Sequence, residues 1–355
     1  MRATFGERFT DWAVSSFMWG FRIFIILIVV VGTYFTLSSG KYTGEQWIDF
    51  VVFGVSQGSI YAMIALGYTM VYGILRMINF AHGEIFMSGA FCSYFLATWL
   101  TDAGFTDKNP FLGLLIPILF AMFMSASIAM LVERIAYRPL RGAPRLVPLI
   151  SAIGASFFLQ YTFRGFFGPG VYAYPPVKAL EGEWVFFGIG ILKVQVIVAV
   201  AAAIMMAILY GIVMLSKVGK AMRAVSENKD TAALMGIDVN RIIVSTFAIG
   251  AAMAGAAGVL YALIFRQVGF FMGFTPGIKA FTAAVLGGIG NIPGAMLGGL
   301  VLGIFESVGP ALFLDGLGIP RPYQLKDAIA YTMLVMILLF RPSGILGERI
   351  TTKKA

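Results

Sequence analysis

Apolar positions along the chain gather into long runs, separated by short stretches rich in charge, glycine and proline. The runs predict helices near 22–38, 48–75, 85–101, 111–131, 146–163, 194–215, 243–264 and 324–340, most of them uncharged in the middle. Runs of about 20 such residues are long enough to cross a bilayer as a helix. The run 279–307 differs, because Gly287-Gly288-Ile289-Gly290-Asn291-Ile292-Pro293-Gly294 places too many helix breakers in it for one straight span. Its halves, of about 9 and 14 residues, are too short for two full crossings. At the start, Arg2, Arg8 and Arg22 precede an apolar stretch from Ile23 to Leu37 that meets Ser38-Ser39-Gly40. No small-x-small cleavage pattern precedes that break, so an uncleaved first span is expected.

Composition supports a membrane bundle. Hydrophobic residues make up 59% of the 355 positions and charged ones 12%, half the share of a typical soluble domain. The net charge of +9 is read as cytoplasmic loops rather than a nucleic-acid surface, since no stretch mixes basic and aromatic residues on a polar scaffold. With both termini in the cytoplasm, threading the spans in order puts 17 of the 26 basic residues inside and 9 outside. The run 279–307 must then enter and leave on the same side, as a re-entrant pair or two half-helices. The expected fold is all-α: a polytopic bundle of about eight spanning helices plus that Gly-broken pair. Its parts are an N-terminus and extra first span (1–45), a transmembrane domain (46–345) with a cytoplasmic loop at 216–242, and a cytoplasmic tail (346–355). Gly250, Ala254 and Gly258, and the pairs Gly294–Gly298 and Gly299–Gly303, read as close helix packing. Cys92 is the single cysteine, which excludes an intrachain disulfide and a cysteine metal cluster.

No catalytic set is present. His82 is the one histidine, so neither a histidine metal site nor a Ser-His-Asp arrangement fits. No phosphate-binding loop exists either: Gly219-Lys220 is followed by Ala221. If ATP drives this protein, another chain binds it, and no cofactor or metal is expected here.

Two polar stretches stand out. In Gly67 to Glu84, Asn79, His82 and Glu84 fall within six residues beside Gly83, between apolar spans. Such groups are costly against lipid. They read either as a broken-helix junction near a substrate path or as an inside turn in which Asn79 and His82 cap helix ends. The second stretch is the 27-residue loop 216–242, where Ala221, Met222 and Val225, then Ala232, Ala233 and Met235, form short apolar stripes among charges. It reads as a short surface helix that docks into a groove on a partner, or as a solvated helix held by lipid headgroups.

The same stretches carry a resemblance. Gly58-Ser59-Ile60-Tyr61-Ala62 through Ala65-Leu66-Gly67, then Asn79-Phe80-Ala81-His82-Gly83-Glu84, closely resembles the branched-chain amino acid ABC permease family, in the first of its two permease types. Gly219-Lys220-Ala221-Met222-Arg223-Ala224 with Glu227-Asn228, Ala232-Ala233 and Gly236-Ile237 is similar to that family's ATPase-coupling segment. Phe281 to Asn291, followed by Pro293-Gly294-Ala295, is a third match in order over about 50–345.

The resemblance implies that Gly219, Arg223, Ala224, Glu227, Asn228 and Gly236 couple the bundle to ATPases. It implies a pathway or gate role for Asn79, His82, Gly83 and Glu84, and for Gly287, Gly288, Gly290 and Asn291. It also implies the partners: a second homologous permease, two cytoplasmic ATP-binding subunits, a periplasmic solute-binding protein and the lipid of a bacterial inner membrane. Urea or a short amide is the alternative substrate. A gradient-driven transporter or channel is the rival class, against which Glu84, Glu133 and Glu306 all fall near expected span ends. The segment 164–193 is left open, as a seat for a binding protein or a cover for the bundle.

Overall fold

The computed structural model describes residues 5–144, 146–186 and 189–347. Thirteen α-helices follow in order among them: α1 (Phe5–Ser39), α2 (Gly44–Leu75), α3 (His82–Asp102), α4 (Phe105–Lys108), α5 (Pro110–Val132), α6 (Leu146–Phe167), α7 (Lys193–Leu215), α8 (Lys217–Glu227), α9 (Lys229–Leu234), α10 (Val239–Phe265), α11 (Phe274–Gly287), α12 (Ile292–Gly309) and α13 (Lys326–Phe340). Every expected span is a helix here. Arg2, Arg145, Arg349, Lys353 and Lys354 of the charge count, and most of the expected tail, lie outside the described residues.

The ends of the helices define two faces. The basic face carries the turn 76–81, the 133–144 connection, α8, α9 and residues 341–347. The opposite face carries residues 40–43, 168–186, 189–192, 266–272 and 315–325. On that face lie four short strands that the apolar pattern does not announce. Strand β1 (Val171–Ala173) pairs antiparallel with β4 (Gln267–Gly269), and β2 (Glu183–Phe186) pairs with β3 (Ile189–Leu192). Tyr174, Val177 and Leu180 from the same segment are buried, so it covers the bundle.

The centre of the bundle is α2. A capping box starts it, with Thr43 Oγ1 accepting from the Gln46 amide and Gln46 Oε1 from the Thr43 amide. Arg76 ends it in the left-handed conformation at φ 56°. Residues from Ser56 to Val71 are buried all round, as expected of a helix surrounded by others. Small residues permit this. A side chain at Gly303 would collide with the backbone of Gly58 and one at Gly299 with Ala62, and Gly250 packs closely on Gly67. Gly258 lies against the Phe86 carbonyl and Ala90, Gly294 against Gly287, and Gly298 against Ala283. The glycine stripes are packing surfaces.

The Gly-broken segment departs from expectation at both ends. Its first half, α11, starts at Phe274 and spans 14 residues; Pro276 sits in its first turn, where the missing amide costs nothing. Its second half is no half-helix. It continues from α12 through a π-turn (Pro310–Leu314) and a 3-10 turn (Asp315–Leu317), a 26-residue run long and apolar enough to cross. Pro310 marks a bulge rather than an end, which is why a reading that stops at 307 falls short. The requirement to enter and leave on one side holds, since the 287–291 break lies at the basic face and both flanks at the opposite one.

Helix α1 stands at the periphery. None of its most apolar window is buried. It meets the bundle where Thr36 Oγ1 donates to the Ala311 carbonyl at 3.2 Å and Gly32 lies against Phe313.

A branched side chain at the α2–α12 seam has no space to enter, and overpacking costs about 1–3 kcal/mol or more when backbone must move. Gly303→Leu is expected to lower the thermal midpoint of the purified protein sharply. Gly20→Leu on α1, where nothing lies within 4 Å, is expected to leave it unchanged.

Candidate functional site

Two buried polar groups and one surface segment are set out by this fold. The first group lies between α2, α11, α12 and α13. Lys279 Nζ sits 2.5 Å from Glu306 Oε1 and 2.6 Å from Asp327 Oδ1. Gln57 Nε2 donates to Glu306 Oε1 at 3.1 Å and to the Tyr61 hydroxyl at 2.5 Å. The side chains of Lys279 and Glu306 are 4% and 1% exposed. Glu306 Oε2 makes no hydrogen bond of ordinary geometry. A cavity of about 430 Å³ reaches Gln57 and Glu306 from the side of Asp49, Glu183 and Lys326 on the opposite face.

This group corrects two expectations. Lys279 counts among the 9 basic residues placed outside, yet it is buried inside the bundle. Glu306 stands not near a span end but inside the run Ile292–Leu317. No spacing in the sequence pairs them: Lys279 is 8 residues before Gly287, where α11 ends, whereas Glu306 is 14 after Ile292, where α12 starts.

The second group holds the four residues of the first motif together. After Arg76 the chain turns back into the bundle, and α3 begins at His82 beside Gly67 of α2. The His82 ring packs edge-on to Tyr68 at 4.8 Å. Gly83 lies against Gly273 and Gly277, so the N-terminal ends of α3 and α11 meet within the bundle. Asn79 Oδ1 accepts from the Tyr137 hydroxyl at 2.5 Å, and Glu84 Oε1 accepts from Gln160 Nε2 at 3.2 Å. Asn79 and His82 do not cap α3 through their side chains, since Ala81 occupies the cap without a side-chain bond. The capping expected of Asn79 and His82 is absent at the start of α3.

Gly287, Gly288, Gly290 and Asn291 lie elsewhere, at the hairpin turn on the basic face. Gly288 and Gly290 take φ of 107° and 98°, which side-chain-bearing residues rarely adopt. Asn291 caps α12 by accepting from the Gly294 amide at 2.9 Å, and its Nδ2 donates to the Leu346 carbonyl at 2.8 Å. The amides of Ile345 and Leu346 bond the carbonyls of Leu286 and Gly287. The turn is thus tied to the end of the described chain, and none of the four lines the cavity.

The surface segment forms two helices rather than one. Ser216 caps α8 and Asn228 caps α9, each side chain accepting from the amide three residues on. Gly219 lets α8 fold back against the carbonyls of Ile212 and Val213, where a side chain would collide. Arg223 reaches the Met214 carbonyl at 3.3 Å, and Gly236 at φ 82° turns the chain toward α10. Met222, Val225 and Ala232 of the expected stripes are buried on the bundle. Leu234 and Met235 face outward, 87% and 79% exposed. Arg223, Ala224, Glu227 and Asn228 are also exposed. Arg76 Nη2 lies 3.5 Å from the Ser226 carbonyl, which joins the turn before α3 to α8. Desolvation, with Arg141 and Arg76 nearby, holds the Lys229 ammonium below the ordinary lysine value.

The profile of the family described as "Branched-chain amino acid transport system / permease component" matches residues 50–338. The high-affinity branched-chain amino acid transport system permease protein BraD of Pseudomonas aeruginosa is 44% identical over 306 residues, covering 85% of this chain and 96% of that one. The corresponding LivH protein of Escherichia coli is 41% identical over 300 residues, covering 83% and 94%. A probable branched-chain amino acid transport permease protein LivM of Methanocaldococcus jannaschii is 25% identical over 342 residues, covering 91% and 93%.

Removing one member of a buried ion pair leaves its partner's charge uncompensated, at about 3–5 kcal/mol. Lys279→Met is therefore expected to destabilise the protein, and adding Glu306→Gln and Asp327→Asn is expected to recover much of the loss. Tyr137→Phe leaves Asn79 Oδ1 unpaired and is expected to cost roughly 1–3 kcal/mol. Thermal midpoints of the purified variants check all three.

Proposed function

The chain belongs to the branched-chain amino acid transport system permease family, and on that premise we propose that it is the first of two homologous permease subunits in a binding-protein-dependent ABC importer for branched-chain amino acids. It is a multi-pass inner-membrane transport subunit, and ATP is hydrolysed by other chains. The assembly we propose has a second permease of the type represented by the LivM relative, two cytoplasmic ATPases and a periplasmic binding protein. The basic face is then cytoplasmic, with both termini on that side. The transmembrane domain is 46–345, with residues 1–45 an added span: the family match begins at residue 50, and α1 packs only at the margin.

The observation that carries the coupling role is the pair Leu234 and Met235, which leave large apolar surface in the open beside exposed Arg223, Ala224, Glu227 and Asn228. A helix pair held to α7 by Gly219 and ended by Gly236 presents them as a compact knob. Docking of such a knob in a groove on an ATPase is the helix-in-groove mode. Through Arg76 and Ser226 it touches the turn that holds Asn79, His82, Gly83 and Glu84, which we assign to a gate. The turn Gly287-Gly288-Ile289-Gly290-Asn291 we assign to the hinge of the α11–α12 hairpin on the same side of that gate.

The buried Lys279–Glu306 pair is also what a gradient-driven transporter would contain, so the scarcity of charges inside the spans no longer argues against that class. Family membership and the coupling knob argue for the importer. Nucleotide dependence separates the two.

Purified from its native membrane, the protein is expected to bring an ATPase with it. Leu234→Asp with Met235→Asp is expected to abolish that association while the thermal midpoint of the bundle stays within a few degrees. A chain that purifies alone and moves solute without ATP would overturn the importer reading.

A further inference from the structure

The cavity above Gln57 and Glu306 is a built site that the coupling and gate assignments leave without a role. Its polar floor is inside the bundle. Glu306 is 2% exposed, faces the cavity, and keeps Oε2 free of any hydrogen bond of ordinary geometry. A buried carboxylate oxygen without a donor is costly, by about 1–3 kcal/mol or more for a charged group. It persists where a ligand supplies the missing donor. Lys279 does not meet this need, because its one ammonium already stands between Glu306 Oε1 and Asp327 Oδ1. Lys279 is shared with Asp327, which is 45% exposed and outside the cavity, so its ammonium is not given over to Glu306 alone.

The walls add the other half of the recognition. Asp49 and Glu183 on the approach are acidic, and among the described residues Lys326 is the one basic side chain lining the cavity. Phe50, Phe53 and Leu192 supply an apolar wall between the floor and Lys326. At about 430 Å³ the space falls within the range of small-molecule sites, of about 300–1,000 Å³. A free donor-seeking carboxylate, a separate cation and an apolar wall match three groups of one ligand class: an α-ammonium, an α-carboxylate and an aliphatic side chain.

We propose that this cavity is a transient binding site for a zwitterionic aliphatic amino acid within this subunit. The ammonium donates to Glu306 Oε2, the carboxylate faces Lys326, and the side chain lies on Phe50, Phe53 and Leu192. The proposal rests on the importer reading and adds the site at which the substrate pauses. It also identifies what makes passage tolerable: the charges of the zwitterion are met by groups already fixed in place, so neither enters hydrocarbon unpaired.

The test uses the assembled transporter in proteoliposomes, with Cys92→Ser as background and Leu192→Cys as a reporter, since Leu192 is 43% exposed on the cavity wall. L-leucine is expected to slow labelling of the new thiol by a maleimide at least about fivefold. 4-Methylpentanoate, which lacks the ammonium, and 3-methylbutylamine, which lacks the carboxylate, are expected to protect poorly. A charged hydrogen bond contributes about 1.5–3 kcal/mol, and about 1.4 kcal/mol is a factor of ten. Adding Glu306→Gln should therefore raise the half-protecting leucine concentration about tenfold or more. Lys326→Gln, on the rim, should raise it for leucine but not for the amine, and this variant serves if the buried one fails to assemble. Equal protection by the amine would replace the proposal with a plain cation site. Unchanged labelling in every nucleotide state would overturn the proposal outright. Leucine uptake is measured on the same vesicles with ATP and binding protein. Uptake without protection sinks the site alone, whereas absence of uptake by the unmodified assembly sinks the importer reading.

Discussion

The approach of α2 to α12 sets the geometry of the rest. Gly54, Gly58 and Ala62 on one helix lie directly on Gly299, Gly303 and Ile304 of the other, with no side chain between the backbones. Lipid tails give helices no hydrophobic reason to associate, so van der Waals contact over small residues must supply the attraction. That contact fixes α12 antiparallel to α2 and brings Gln57 within reach of Glu306. It also places α11, the other arm of the hairpin, where Lys279 faces Glu306 across the fold. A wider seam would separate the donor from the acceptor, and neither would find a substitute in hydrocarbon.

The same demand for partners explains why irregular backbone is tolerated at depth. Helices α3 and α11 both begin inside the bundle, and each leaves amide groups unsatisfied at its first turn. Those ends are shielded from lipid by one another, with Gly83 against Gly273 and Gly277, and by α2 and α10 through Gly67 and Gly250. Non-helical backbone at this depth is allowed only where protein encloses it. Glu84, in the first turn of α3, places a carboxylate where the helix dipole favours negative charge. The pocket of glycines is therefore a requirement of the junction and not a sign of looseness.

Much of this was legible in the sequence. Apolar runs located the helices because a span must be apolar along its whole length, but not the full crossing of Ile292–Leu317; the glycine stripes announced the packing surfaces. The motif from Asn79 to Glu84 was visible as polarity where lipid forbids it, and the stripes of 216–242 as a pattern too regular for a linker. The misses have physical causes. Pro310 suggests an end, but a π-turn carries the helix past it to Leu317, so Glu306 was placed at a border. Lys279 sits between glycines, proline and an apolar run, a context shared by true loop residues. Only its ion pairs with Glu306 and Asp327, formed across the fold, distinguish it. The strands are three or four residues long, and β1 pairs with β4 across distant segments, so local pattern holds little trace of them.

Two helices join α8 to the cavity, and these limit how an ATPase of the proposed assembly could act on it. Helix α2 carries Gln57 and Tyr61 at the floor and Arg76, beside Ser226 of α8, at the other end. Helix α7 starts near Gln195 on the cavity wall and passes through Ser216 into α8. A helix of this kind rises about 1.5 Å per residue and is stiff over its length, so a push on α8 would be delivered to both sides of the cavity at once. It cannot be absorbed along the glycine seam, where the backbones are already in contact. What can give is the α11–α12 hairpin, whose turn needs the positive φ of Gly288 and Gly290 and whose two arms hold the ends of one ion pair. Lys279 stands within 2.6 Å of both Glu306 and Asp327, so a rotation there is felt by α11, α12 and α13 together, and a partner that bound one arrangement better would shift the balance toward it.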